Sequence, residues 1–238
     1  MSLSIGILEA GAVAPEFRAH LASYTESFER FLSSTGEKPS LRPYLCYQGE
    51  FPATGDERDG WLITGAAASV YDGDDWIARL EAFVRAASET RPVVGICFGH
   101  QLVAQAFGGR VKKASGWGVG VHRHEVTGRA EWMQPALTGL SLLASHQDQV
   151  VTPPPGAEIL GGSAFCPIGI MSIGENVMSM QNHPEMTRDF AAELYRIRRQ
   201  PIGPATADAA LASLDTPTDE AAAAAWILGF LDRGALVG

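Results

Sequence analysis

Positive charge is thin on this chain. Lysine and arginine number 18 against 27 acidic residues, the net charge is −9, and the longest basic group is Arg196-Ile197-Arg198-Arg199. A nucleic-acid partner therefore has no electrostatic footprint. Apolar runs of membrane-spanning length are missing. The opening residues MSLSIGILEAG lack the basic region and apolar core of a signal peptide. Cysteine is sparse: Cys46, Cys97 and Cys166 form an odd set with no CxxC, which argues against a disulfide framework or a zinc ribbon. The expected setting is a reducing cytoplasm, with no membrane and no nucleic acid bound. What the chain does have is 238 residues, 46% of them hydrophobic and 19% charged, enough for a sizeable core. One domain over residues 1–238 is expected, with C-terminal helices at about 187–233 packed on it.

Strand-like and helix-like segments alternate along the first half. Leu3 to Leu8 reads as a buried strand and Pro15 to Leu32 as a helix with Pro15 in its first turn. Leu41 to Tyr47 and Gly60 to Ile63 read as strands, and Asp74 to Ala87 as an amphipathic helix with acidic residues at its start. Val93 to Ile96 is a further strand. This rhythm predicts an α/β fold with an open, mostly parallel sheet and helices on both faces. Beyond Gly109 the texture changes to short strand-like runs, at Arg110 to Thr127, Ser141 to Ala144, Ala157 to Leu160 and Asn176 to Met180. They predict antiparallel additions to the sheet. Helices are predicted over Thr187 to Arg199, Thr206 to Leu214 and Asp219 to Leu231, with Pro201 to Pro204 breaking the chain between them.

The chemistry concentrates between Arg91 and Gln105. The apolar run Val93-Val94-Gly95-Ile96 enters Cys97, Phe98 and Gly99 follow, and a helix-like segment runs to Phe107. Strand, glycine-flanked reactive residue, helix: this is the layout of a nucleophile elbow. So sharp a turn strains the central residue, and glycines two positions to either side leave room for it. The free N–H groups and positive end of the following helix face the sulfur and favour thiolate. The competing reading is a buried strand-end cysteine, a common core residue.

A thiolate nucleophile needs a base, and the base an orienter. His183 stands in Gln181-Asn182-His183-Pro184-Glu185, directly after a strand-like run. Pro184 restricts His183 to extended conformations, which sets Glu185 in a defined relation to the imidazole. A carboxylate on one ring nitrogen fixes the tautomer and leaves the other nitrogen for sulfur. Alone, His-Pro-Glu is equally a loop turn with an incidental carboxylate. An elbow cysteine 86 residues upstream gives it weight.

Together these stretches resemble the class I glutamine amidotransferases. Gly95-Ile96-Cys97-Phe98-Gly99-His100-Gln101 is similar to the family's G-x-C-x-G-x-Q, and Gln181 to Glu185 to its Q-x-H-P-E. Leu62-Ile63-Thr64-Gly65-Ala66-Ala67-Ala68-Ser69-Val70 resembles the L-S-G-G-P-x-S-V loop, and Ser145-His146-Gln147-Asp148-Gln149-Val150 the S-H-x-D-x-V segment of the guanylate-synthetase branch. The resemblance implies a flavodoxin-like sheet and cleavage of a γ-glutamyl amide, from glutamine or a γ-glutamyl peptide. Cys97 would be the nucleophile, His183 the base and Glu185 its orienter, with a thioester intermediate. Backbone N–H groups of Phe98 and of the Gly65-Ala66 turn would form the oxyanion hole, and Gln101 and His146 would line the substrate site. No cofactor and no metal are implied. Ammonia-using members carry or recruit a synthase, so an ammonia-accepting partner is possible; no phosphate-binding or pyrophosphate loop on this chain could serve instead.

One departure is Ala66-Ala67 where the family has Gly-Pro, which leaves open which amide completes the oxyanion hole. It also keeps a second function class in play: a catalytically silent or partner-activated binding module on the same fold. His122 and His124, an H-x-H on one strand face, could bind zinc with His146 or His20. No Cys or carboxylate cluster stands beside them, so no metal is expected. Cys46 and Cys166 lack a glycine frame and read as core thiols; Trp76 and Trp226 read as core aromatics.

Overall fold

The computed structural model describes residues 2–18, 21 and 23–233. The strands are β1 (Ser4–Glu9), β2 (Ser40–Leu45), β3 (Gly60–Ile63), β4 (Val93–Ile96), β5 (Arg110–Val126), β6 (Gly139–Thr152), β7 (Ala157–Gly162), β8 (Ile170–Ile173) and β9 (Val177–Met180). The helices are α1 (Tyr24–Ser33), α2 (Asp75–Ala87), α3 (Phe98–Ala106), α4 (Arg188–Ile197), α5 (Arg199–Ile202), α6 (Pro204–Ala212) and α7 (Glu220–Asp232). The strands form one sheet in the order β2-β1-β3-β4-β9-β8-β7-β5-β6. From β2 to β9 every pairing is parallel, and from β9 to β6 every pairing is antiparallel. The parallel half with its antiparallel extension is the architecture the alternation of elements predicted.

The pleat decides which residue meets which layer. Ile5, Ile7, Leu62, Val94 and Ile96 face a layer built on α1 and α7, with Phe28, Phe31, Trp226 and Phe230 filling it. Their sequence neighbours Leu8, Trp61, Ile63 and Val93 face the opposite layer, where α2 and α3 supply Ile77, Leu80, Val84 and Leu102. Strands buried on both faces read as unbroken apolar runs, which is why Gly60 to Ile63 and Val93 to Ile96 were legible. A third cluster joins Val119 of β5 and Leu143 of β6 to Leu194, Tyr195, Ala207 and Ala210, seating α4 and α6 on the antiparallel extension.

The structure redraws several segments. Pro15 opens only a short 3-10 turn, Pro15–Phe17, and α1 begins at Tyr24, where the Ser23 hydroxyl accepts from the Glu26 N–H at 3.1 Å. His20 lies outside the described residues. The second predicted strand ends at Leu45, and Cys46–Gln48 forms a 3-10 turn. The run read at Arg110 to Thr127 is the single long strand β5, with a register shift between Lys113 and Gly118, and the short run at Ser141 to Ala144 belongs to the long strand β6. The break at Pro201 lies inside the short helix α5, and α6 starts at Pro204, two residues before the predicted helix. Among the described residues no helix is long and apolar enough to cross a membrane.

Candidate active site

Three neighbouring parallel strands deliver their carboxyl ends to one edge. β3 runs into Thr64-Gly65, β4 into Cys97, and β9 into Gln181-Asn182-His183. Ligands in open parallel sheets gather along such an edge.

Cys97 stands between β4 and α3 with φ 53° and ψ −101°, the one non-glycine residue with positive φ among those described. An L-residue reaches such a conformation only when its surroundings force it. Its N–H donates to Met180 O at 3.0 Å, tying the turn to β9. The flanking glycines are dictated by packing. A Cβ on Gly95 would lie 2.4 Å from Gly99 O, and one on Gly99 would lie 2.6 Å from Ile63 O. Any other residue at either position would drive α3 off the sheet. Trp76 stacks on Phe98 with ring centroids 5.6 Å apart, bracing the first turn of α3 from outside.

His183 is held from two sides. Its N–H donates to Leu143 O of β6 at 2.8 Å, and its Nδ1 lies 2.8 Å from Glu185 Oε1. The Glu185 carbonyl accepts from the Ser27 hydroxyl at 2.9 Å, anchoring this segment to α1. On its other side the ring faces the elbow, close enough for the Cys97 charge to act on it. Gly65 packs against both: a Cβ there would lie 2.8 Å from His183 Cε1 and 3.7 Å from Cys97 Cβ. Burial by itself would push the imidazole pKa down. The Cys97 and Glu185 charges, with the Glu185 hydrogen bond, outweigh it and hold His183 well above the usual histidine value.

Around the sulfur the polar groups form a chain. Gln181 Nε2 donates to Cys97 Sγ at 3.6 Å, and its Oε1 accepts from Gln101 Nε2 at 3.2 Å. Gln101 Nε2 also donates to Asp148 O at 2.8 Å. The Asp148 carboxylate in turn accepts from Ser69 Oγ at 2.5 Å and Tyr71 OH at 2.8 Å, clamping the loop after β3 onto β6. Thr64 fastens the root of that loop: its Oγ1 accepts from Ala10 N–H at 3.1 Å. These groups border a cleft of about 920 Å³ lined by Cys97, Gln101, His146, Asp148, Lys113 and Arg198.

The structure thus brings Cys97, His183, Glu185, Phe98, Gly65, Ala66, Gln101 and His146 to one edge. His146 Nδ1 lies 3.2 Å from Asp148 O and therefore carries the proton, and burial lowers the ring's pKa to about 3. His100 is fully buried: its Nε2 donates to Ile168 O at 3.0 Å, so Nδ1 accepts from Ser179 Oγ at 2.9 Å, and burial lowers it to about 3. His122 lies 3.2 Å from Val119 O through Nε2, and His124 Nε2 packs against Asn182 Nδ2 at 3.5 Å. Cys46 and Cys166 are buried thiols pushed up to about 12. Some contributors went unassigned in the sequence. Gln181 carried its signal in the Q-x-H-P-E motif, whereas Lys113 and Arg198 had none; only the packing of α4 brings Arg198 to the cleft.

Comparison with known proteins gives the family. The family model "Glutamine amidotransferase class-I" matches residues 20–193. The chain belongs to the class I glutamine amidotransferases. This amidotransferase is 28% identical over 180 residues to gamma-glutamyl peptidase 4 of Arabidopsis thaliana, covering 72% of this chain and 71% of that one. It is 30% identical over 166 residues to a glutamine-hydrolyzing GMP synthase of Listeria innocua, covering 69% of this chain but 31% of that longer protein. Among solved structures, a glutamine amidotransferase from Thermotoga maritima superposes with a TM-score of 0.75 over 98% of both chains at 14% identity, a likeness of fold.

Proposed function

We propose that this amidotransferase hydrolyses a γ-glutamyl amide through a thioester on Cys97. The observation that carries the reading is the strained Cys97 beside an imidazole whose Nδ1 is 2.8 Å from the Glu185 carboxylate, the two packed around Gly65. An imidazole so oriented can take up the thiol proton, or hold it as an ion pair, as the sulfur attacks. Cys97 Sγ adds to the γ-carbonyl carbon, and the carbonyl electrons move to oxygen. The Phe98 N–H and an N–H of the Gly65-Ala66 turn receive that oxyanion; one such donor is worth ~100–1,000-fold in kcat. The C–N bond then breaks as His183 gives its proton to the departing nitrogen. Water attacks the thioester with His183 taking its proton, and the C–S bond breaks to return the thiolate.

At the glutamyl end, Gln101 has its amide N–H groups committed to Asp148 O and Gln181, which leaves its Oε1 to accept from an α-ammonium group. Lys113 on the same cleft suits an α-carboxylate. Ala66 and Ala67 keep negative φ, so the loop needs no glycine at either position. The tie of Ser69 and Tyr71 to Asp148 supports a loop ordered in the isolated chain, against a module that waits for a partner to build its oxyanion hole.

Diazo-oxo-norleucine, a glutamine-mimicking electrophile, should label Cys97 stoichiometrically in the isolated chain. Glutamate should appear from glutamine or a γ-glutamyl dipeptide, and Cys97→Ser should remove that activity while circular dichroism stays unchanged. An unlabelled protein whose denatured form still titrates as a free thiol would refute the reading.

A further inference from the structure

The scissile bond of a γ-glutamyl amide must lie between the sulfur, which takes the carbonyl carbon, and the imidazole, which protonates the nitrogen. The two partners border different spaces. The cleft beside Cys97 is polar, with Gln101, Lys113 and Asp148 on its walls, and His183 is not among its lining residues. A second cavity, about 90 Å³, is lined by His183 and Glu185 but not by Cys97. Ala66, Ala67, Ser145 and Arg198 border both. The glutamyl part thus belongs on the sulfur side and the leaving amine on the imidazole side.

Departing ammonia needs about as much room as a water molecule, ~10–15 Å³ of such space. This cavity offers several times that, room for a single side chain. Among the described residues the walls of this one are largely apolar: Val13, Phe17, Leu21, Met186, Phe190 and Leu194. The Phe17–Phe190 pair, ring centroids 5.4 Å apart, forms a rigid side of it. Tyr24 also lines the cavity, its phenol pushed up to about 12 chiefly by burial, so it stays neutral. The free positive charge comes from Arg198 and Arg30. Neither forms an ion pair among the described residues, and Arg30 donates only to Ser27 Oγ, at 3.2 Å. An apolar side chain accompanied by a carboxylate would satisfy both wall and rim.

We propose that the leaving group is an apolar amino acid joined through its amine to the γ-carboxyl, its side chain in the cavity beside His183 and its carboxylate on Arg198. This deepens the hydrolase reading and rests on it. Hydrolysis would break the C–N bond and release glutamate and the free amino acid, with water as the only co-reactant.

The test compares kcat/KM of the full chain on γ-glutamyl-phenylalanine, γ-glutamyl-glycine, γ-glutamyl-phenethylamide and glutamine. Burying a phenyl group should raise the phenylalanine substrate over the glycine one by roughly 10- to 100-fold. The carboxylate should raise it over the phenethylamide. Phe190→Ala should reduce the phenylalanine-to-glycine ratio about tenfold, and Arg198→Gln should close the gap between phenylalanine and phenethylamide. Equal rates on all four substrates, or a loss in Phe190→Ala that is proportional on all four, would overturn the proposal. So would an Arg198→Gln variant that weakens the phenethylamide as much as the dipeptide, since the guanidinium would then serve the glutamyl end. If Cys97 is labelled and glutamine alone is turned over, the leaving-group assignment fails while the hydrolase reading stands. If there is neither labelling nor turnover, both fail.

Discussion

Adding one methyl group at Gly95 gives the most direct test of how the elbow is built. An alanine Cβ there would stand 2.4 Å from Gly99 O, 2.6 Å from Gly99 C and 2.9 Å from His100 N. All three are backbone atoms, so no side chain can swing aside. Ordinary contact begins near 3.4 Å, and the first turn of α3 must retreat from β4 by about 1 Å. Overpacking of this kind costs ~1–3 kcal/mol, a fall in Tm of roughly 2–12 °C for a chain of this size. The catalytic effect should be larger in proportion. The displaced turn carries the Phe98 N–H and sets the direction of Cys97 Sγ, while His183 stays fixed by Leu143 and Glu185. A misplacement of about 1 Å at reacting atoms can lose ~100-fold in rate. Gly95→Ala should therefore fold, melt somewhat early and lose about 100-fold in kcat, with a matching fall in the rate of diazo-oxo-norleucine labelling. Steady-state glutamate release and thermal melts measure both quantities. Wild-type kcat with an unchanged Tm would refute the close-approach argument.

Glu185→Gln removes one of the charges that hold His183 above its ordinary value, so the imidazolium should deprotonate at lower pH. The alkaline limb of the activity profile should move down with it, seen also in the NMR titration of the ring. Some turnover should survive, with losses of up to ~10⁴-fold. In the wild type the raised histidine contributes stability that is complete below its unfolded value, near 6.5, and is lost as pH climbs through the folded value. Urea unfolding across that range should show the decline, and a flat profile would contradict the ion pair. Asp148→Asn leaves one acceptor oxygen for Ser69 and Tyr71 and removes the charge. Bonds to charged groups are worth ~1.5–3 kcal/mol, so KM should rise about tenfold or more while kcat falls less; an unchanged KM would mean the clamp does not shape the cleft. Trp226→Ala empties the α7 layer and strands Pro135 O, which accepts from Trp226 Nε1 at 3.0 Å. A loss of ~3–5 kcal/mol, or roughly 6–20 °C in Tm, should follow without change in labelling per folded molecule.

The parts of the fold that could be read along the chain were those whose signals are local. Gly60 to Ile63 and Val93 to Ile96 are short apolar runs between turn residues, and both are strands over those residues. The glycine frame of Cys97 is local as well, since Gly95 and Gly99 answer to backbone atoms a few residues away or on the adjoining strand. The α1 start was misplaced although its signal was present: Ser23-Tyr24-Thr25-Glu26 is a capping pattern, outweighed by Pro15 and an apolar spacing that runs on through the turn. β8, only Ile170–Ile173 between Gly169 and Gly174, was too short to separate from its surroundings. The long β5 was legible as the run Arg110 to Thr127 despite its glycines, of which Gly118 and Gly120 accommodate close packing by His146 and Ala210 rather than end the strand. Arg198 and the second cavity depend on how α4 lies against the 3-10 turn at Pro15 and on β6, contacts distant in sequence that no periodicity encodes.

Leu143 and His183 share a backbone bridge although they belong to different halves of the sheet. The Cys97 sulfur sits on strands packed tightly on both sides, whereas the walls proposed to receive the departing group are made by α4 and the segment around Val13, which meet the rest of the protein through a separate cluster. Mutational drift in those walls can change what is admitted while the bridge keeps the imidazole in station. A lineage built on this plan could diversify its diet without relearning its chemistry.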